Sequence, residues 1–238
     1  MSKKRCLFLV EGATDRQRFS VLQGLFDKSD LVIIPFQTDV LTKKTYSNRY
    51  KAHIRETLNK EKIYSFEDFD EIIQIVDTDG CFLSDSLIKV DHSVSTIKYM
   101  VDSIICPDVG PLIQQRENKR KNISTILSKG EIKLYYVSTN AEHAFDNIQN
   151  ASDKEKRSLA LKMYRNYSNN LGALIEKLKS IAPDINTFED SWSFIMKGNN
   201  SLLAYSNIIF WLMDNLEYMK EEFKALVLQQ NTIAKNAF

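Results

Sequence analysis

The chain has 238 residues, and its 32 basic and 31 acidic side chains leave a net charge of +1. This balance excludes a wholly basic nucleic-acid-binding protein, although it allows a local basic patch. Cys6, Cys81 and Cys106 are dispersed and odd in number, which argues against a disulfide framework. No run approaches about 20 apolar residues, so no membrane span is expected and the chain is predicted to be cytoplasmic.

The first predicted elements are a strand, an acidic turn and a helix. Residues 6–10 form a short apolar run that is typical of a strand buried on both faces, and this run ends at Glu11 and Gly12. Thr14, followed three residues later by Gln17, predicts a capping box. We therefore expect a helix to begin at about Thr14.

Strands and helices continue to alternate as far as residue 137. Alternation of this kind predicts an α/β fold in which a mainly parallel, four-stranded sheet is flanked by helices. The further strands are predicted at residues 31–36, 71–76 and 131–137, and the further helices at residues 46–59, 94–104 and 112–127.

From residue 141 onward the apolar residues follow helical spacing, and no strong strand signal is present. The chain is therefore predicted to consist of an α/β domain over residues 1–140 and a C-terminal helical extension, residues 141–238, packed on it.

Acidic residues occur where two predicted strands end. Glu11 follows the first strand, Asp77 ends the third, and Asp79 lies in the same turn beside Gly80. Ligands of open α/β sheets bind outside the carboxyl ends of the strands, so the three carboxylates are expected to converge there. Clustered carboxylates favour a cation, and oxygen donors without His or Cys favour Mg²⁺ or Mn²⁺. The alternative is that these are ordinary turn residues.

Two motifs in this region resemble those of the Toprim domain. They are Val-Glu-Gly-x-Thr-Asp at residues 10–15 and Ile-Val-Asp-x-Asp-Gly at residues 75–80. The Toprim domain occurs in topoisomerases, primases, ribosomal-RNA maturases and the overcoming-lysogenization-defect (OLD) nucleases, and the first motif is most similar to stand-alone and OLD-type proteins linked to phage defence. The resemblance implies that Asp77 and Asp79 hold Mg²⁺ and that Glu11 binds metal or acts as a general base.

A further metal ligand is predicted after the fourth strand. Residues 138–142 resemble the Ser-x-x-x-Glu region of some of these nucleases, which makes Glu142 the candidate. The alternative is that Ser138 or Asn140 caps a helix and that Glu142 is an incidental surface residue.

A basic cluster is the predicted nucleic-acid contact. It consists of Arg116, Lys119, Arg120 and Lys121. A second basic segment is interleaved with Tyr46 and Tyr50 and consists of Lys43, Lys44, Arg49 and Lys51. Either cluster could track phosphates, or it could be an ordinary solvated face.

These features predict a metal-dependent nuclease that cleaves DNA or RNA, with an anti-phage defence role implied by the resemblance. The chain has no Walker-type phosphate loop, so an ATPase would have to be a separate partner protein. A homo-oligomer is also compatible with the sequence. One alternative is a non-catalytic Toprim-like sensor or scaffold. Another is a haloacid-dehalogenase-like phosphatase with Asp77 as nucleophile and Asp79 as acid/base.

Overall fold

The computed structural model describes residues 3–39, 41, 49–62 and 64–229. The strands of these regions are β1 (Lys4–Val10), β2 (Leu31–Gln37), β3 (Glu71–Asp77), β4 (Ile88–Val90), β5 (Lys98–Tyr99), β6 (Ile104–Cys106) and β7 (Lys133–Val137). The α-helices are α1 (Ala13–Phe19), α2 (Tyr50–Glu61), α3 (Val109–Lys129), α4 (Ala141–Asp146), α5 (Asp153–Ser168), α6 (Leu171–Ser180), α7 (Phe188–Ile195), α8 (Ile208–Asp214) and α9 (Glu221–Leu228).

Four parallel strands form the main sheet, in the order β2-β1-β3-β7. The inner strands β1 and β3 bury almost every residue, because helices cover both faces of the sheet. Parallel pairing places the carboxyl ends of all four strands at one edge. The predicted α/β class, with a four-stranded parallel sheet flanked by helices, is confirmed.

The C-terminal helices contribute to the hydrophobic core on both faces of the sheet. On one face, Phe8 of β1 meets Trp211 of α8 with ring centroids 4.6 Å apart. On the other face, Tyr136 of β7 packs against Trp192 of α7 at 5.1 Å. The predicted helical extension is therefore packed on the α/β part, while the domain boundary at residue 140 stays a prediction.

A small second sheet corrects the helix that was predicted over residues 94–104. Strands β4, β6 and β5 form this sheet, with β6 in the middle. The side chain of Asp91 accepts a hydrogen bond from the backbone N of Ser93 at 2.8 Å and fixes a turn. The apolar residues that predicted this helix do not share one buried face, because Ile104 is fully buried while Val101 is 61% exposed.

Two local predictions are also corrected. Helix α1 begins at Ala13 with Gly12 as its N-cap, because the carboxylate of Asp15 accepts a hydrogen bond from the backbone N of Gly12 at 3.1 Å. The capping box predicted for Thr14 and Gln17 is therefore wrong. Beyond residue 141, where no strand signal was found, Ser206 forms an isolated antiparallel bridge with Val137.

None of the helices in the described part of the chain is long and apolar enough to cross a membrane.

Candidate metal centre at the carboxyl edge of the sheet

Neighbouring strands bring the predicted acidic residues to one edge of the sheet. Glu11 follows β1 directly, and Asp77 is the last residue of β3, which pairs with β1. Asp79 lies two residues further, in the turn that leaves β3. All three side chains are partly exposed, with Glu11 at 17% and Asp79 at 26%. This convergence agrees with the arrangement expected from the order of the elements.

The turn that holds Asp79 is fixed by backbone geometry. Asp79 has φ = 48° and Gly80 has φ = 60°, so two consecutive residues adopt the left-handed conformation that favours glycine. The backbone N of Asp79 donates to the carbonyl O of Thr139 at 2.9 Å. A Cβ on Gly80 would lie 2.6 Å from Leu202 Cδ2. Gly80 therefore permits both the conformation and the close packing of this turn.

A lysine from α3 lies within the acidic cluster. The side chain of Lys119 is only 1% exposed, and its Nζ lies 2.6 Å from Asp79 Oδ2. The same ammonium donates to the carbonyl O of Asp77 at 2.7 Å and to Glu11 Oε2 at 3.2 Å. Lys119 thus joins the turn after β3 to the end of β1.

One ammonium does not neutralise this cluster. Burial raises the pKa of Glu11 to about 8, an effect that Lys119 opposes and Asp79 reinforces. Burial also raises the pKa of Asp77, and the neighbouring charges of Asp15 and Glu11 raise it further. Burial alone would lower the pKa of Lys119, but the carboxylates of Asp79 and Glu11 raise it well above its usual value. The edge therefore carries an excess of acidic groups over cations.

Asp15 extends the cluster and was not predicted as a site residue. It is 7% exposed, and burial together with the charge of Glu142 raises its pKa to about 6. Its signal was present in the sequence, because Asp15 closes the first of the two motifs. It was interpreted there as part of a helix start.

Glu142 is buried beside the cluster and forms an ion pair. It is 3% exposed, and its Oε1 lies 3.1 Å from Nη2 of Arg18, whose side chain is fully buried. Arg18 also donates to Asp146 Oδ2 at 2.9 Å. Asn140 is the N-cap of α4, and its side chain accepts a hydrogen bond from the backbone N of His143. The helix cap that was the alternative to a metal-binding motif is therefore present at Asn140. Glu142 is buried, so the alternative that it is an incidental surface residue is wrong. Its role as a metal ligand stays a prediction.

The predicted basic cluster divides into a buried and an exposed part. Arg116 is 1% exposed and donates to Asp85 and to the carbonyl groups of Gly80 and Leu83. Lys119 is the buried lysine described above. Arg120, at 31% exposure, and the exposed Lys121 are the members that face solvent, and phosphate binding by this cluster stays a prediction.

In the second basic segment, Lys43, Lys44 and Tyr46 lie outside the described residues.

The donor chemistry of the edge fits a hard divalent cation. Its side-chain donors are carboxylate oxygens, and the carbonyl O of Asp77 lies beside them. Among the described residues, however, no three acidic, His or Cys side chains are already grouped to hold an ion. The ammonium of Lys119 instead lies between Glu11 and Asp79. The donors suit Mg²⁺ or Mn²⁺, but a bound ion would have to share this space with Lys119 or replace its ammonium.

Comparisons with protein-family models, with curated proteins and with solved structures found no match for this chain.

Proposed function

We propose that the chain is a Toprim-like, metal-dependent nuclease whose centre is formed by Glu11, Asp77 and Asp79. The observation that carries the proposal is the convergence of these acidic groups at the carboxyl edge of a parallel sheet, around a single buried ammonium, that of Lys119. Carboxylates held close together repel one another, so a divalent cation would stabilise this arrangement. The two sequence motifs support the Toprim assignment.

The residues of the chain would have distinct roles in this reaction. Asp77 and Asp79 would hold the ion from one turn, and Glu11 would hold it from the neighbouring strand. When bound, Mg²⁺ or Mn²⁺ supplies Lewis-acid activation of the phosphate and lowers the pKa of water. In the metal-free protein burial raises the pKa of Glu11 to about 8, and a bound cation would favour its ionised form, which can bind the metal or accept a proton.

Nucleic acid is the substrate class we propose, and the exposed side of α3 is where we expect it to bind. Arg120 and Lys121 lie on the same helix as Lys119, one and two residues beyond it. Arg120 donates to the carbonyl O of Cys81, directly after the turn that holds Asp79, so its charge lies near enough to attract a phosphate backbone towards the centre. An anti-phage role, with a separate ATPase partner, is proposed on the sequence resemblance alone.

Cleavage assays test this function. Labelled single-stranded DNA, double-stranded DNA and RNA are each incubated with Mg²⁺ or Mn²⁺, using wild type and Asp77→Asn. Loss of a metal ligand is expected to lower cleavage about 100-fold or more. Asp184→Asn, at an exposed acidic residue in the loop after α6, is the matched control and retains activity. Equal cleavage by wild type and Asp77→Asn would exclude this centre as the catalytic site.

A non-catalytic sensor or scaffold is the second candidate, and the position of Lys119 favours it. A buried ammonium that bridges the two strand ends can hold the edge together without a metal ion. Under this alternative, no metal binding is measured by calorimetry and a partner protein is recovered in stable complex.

The phosphatase alternative makes a different prediction about Asp77. A covalent phosphoaspartate or a bound fluoride mimic on Asp77 would favour it over the nuclease. Asp77 ends β3, the third strand along the chain, whereas the corresponding loop of those phosphatases normally ends the first.

A further inference from the structure

Lys119 has an environment that suits a metal ion as well as a lysine. Its side chain is 1% exposed, and its ammonium contacts one carboxylate oxygen of Asp79, both of Glu11 and the carbonyl oxygen of Asp77. Carboxylate and carbonyl oxygens are the donors that hard divalent cations take in proteins. The positive charge of Lys119 is therefore surrounded by a metal-type donor set.

A divalent ion on the same carboxylates would conflict with this ammonium. Mg²⁺ binds oxygen at about 2.1 Å, and Lys119 Nζ lies 2.6 Å from Asp79 Oδ2. The two cations would thus be separated by no more than about 5 Å in a partly buried site, where screening by water is weak. The ammonium also uses the donor atoms that the ion needs. Simultaneous binding to Glu11 and Asp79 is therefore unfavourable.

We propose that Lys119 is the built-in counter-ion of the acidic edge and that a divalent cation binds there by displacing its ammonium from Glu11 and Asp79. This inference rests on the proposed metal centre and adds that Lys119 and the ion compete for the oxygens of Glu11 and Asp79. In the metal-free protein, Lys119 holds the end of β1 to the turn after β3. Metal binding releases these contacts, so the lysine weakens metal affinity and exposes its own side chain when the ion enters.

The first test compares metal affinity in variants of Lys119. Mn²⁺ is titrated by calorimetry into wild type, Lys119→Met and Lys119→Arg. Methionine keeps most of the side-chain volume but removes the charge, and we expect about tenfold or tighter Mn²⁺ binding, the effect of relieving about 1.4 kcal/mol of competition. Arginine keeps the charge, and we expect its affinity to stay within about threefold of wild type. Equal or weaker binding by Lys119→Met overturns the displacement.

The second test uses the wild-type protein, so it does not depend on the folding of a variant. Brief acetylation of lysines is measured by mass spectrometry in EDTA and in saturating Mg²⁺. Displacement predicts that Lys119 is protected in EDTA and is acetylated several-fold faster in Mg²⁺. Lys121, which is exposed two residues away on the same helix, is the internal control and keeps its rate.

The outcomes separate this inference from the proposed function. If Mg²⁺ binds the wild-type protein while Lys119 stays protected, the metal centre stands and the displacement is overturned. If neither wild type nor Lys119→Met binds a divalent ion, the metal centre and the displacement both fail. Faster acetylation of Lys119 together with tighter binding by Lys119→Met supports both.

Discussion

Removal of Arg18 is expected to destabilise the folded chain strongly, because it breaks a buried ion pair. Its guanidinium is fully buried and donates to Glu142 Oε1 at 3.1 Å and to Asp146 Oδ2 at 2.9 Å. Arg18→Met keeps an apolar side chain in this space but leaves both carboxylates without their cation. Glu142, at 3% exposure, cannot recover its hydration without local unfolding.

Breaking a buried ion pair from one side costs about 3–5 kcal/mol, because the remaining charge is buried and unpaired. For a chain of this size, each kcal/mol shifts the melting temperature by about 2–4 °C, so Arg18→Met is expected to melt about 6–20 °C below wild type. Differential scanning calorimetry in EDTA measures this shift. The double variant Arg18→Met/Glu142→Gln is expected to recover part of it, since the amide carries no charge.

The control is the exposed ion pair between Arg55 and Glu67, whose side chains are 51% and 66% exposed. Arg55→Met is expected to cost less than about 1 kcal/mol. An Arg18→Met protein that melts within about 2 °C of wild type would show that Glu142 and Asp146 do not need the buried cation.

Three further predictions concern pH, the turn after β3 and the core. The folded pKa values of Glu11, about 8, and Asp15, about 6, lie above those of an exposed carboxyl, so these two groups bind more protons in the folded chain than in the unfolded chain from about pH 4 to 8. The melting temperature in EDTA is therefore expected to fall as pH rises through this window, and Glu11→Gln is expected to make this fall smaller. A melting temperature that rises instead would contradict the raised pKa values of Glu11 and Asp15. Gly80→Ala, which adds a steric clash at φ = 60°, is expected to lose more stability in urea than Gly130→Ala, where φ is 64° and the space around the residue is open. Equal losses of stability in the two variants would contradict the close packing of Gly80 against Leu202. Trp211→Ala, which removes edge-on contacts with two phenylalanine rings, is expected to cost about 3–5 kcal/mol in the same assay, and a loss below about 1 kcal/mol would show that α8 is not part of the core.

The main sheet and the meeting of Glu11, Asp77 and Asp79 could be predicted from sequence for a simple physical reason. Strands buried on both faces appear as continuous apolar runs, and parallel pairing forces their carboxyl ends to one edge. The acidic residues follow those runs directly, so their placement needed no knowledge of side-chain packing.

The position of Lys119 could not be predicted in the same way. Arg116, Lys119 and Arg120 follow the three- and four-residue spacing of a solvated helix face, yet the docking of α3 turns Lys119 and Arg116 inward. Burial of a lysine depends on acidic partners that come from β1 and from the turn after β3. Those partners are far away in sequence and are brought close only by the tertiary structure.

The apolar spacing over residues 94–104 failed because periodicity does not report which residues are buried. Hydrogen bonds to the Asp91 side chain stabilise a turn there. Further along, β5 pairs with β6, and β6 also pairs with β4. The burial of Asp15 beside the acidic cluster could not be predicted, because an Asp in the first turn of a helix is also common where it only caps the helix.

Anomalous diffraction from crystals soaked in Mn²⁺ shows whether an ion binds at the acidic edge. We predict a manganese peak bonded to Asp77 and to at least one of Glu11 and Asp79, with the ammonium of Lys119 moved away, and we predict that the peak is lost in Asp77→Asn. A saturating soak that gives no peak at this edge, with Lys119 still bound to Glu11 and Asp79, would show that the edge is not a metal centre.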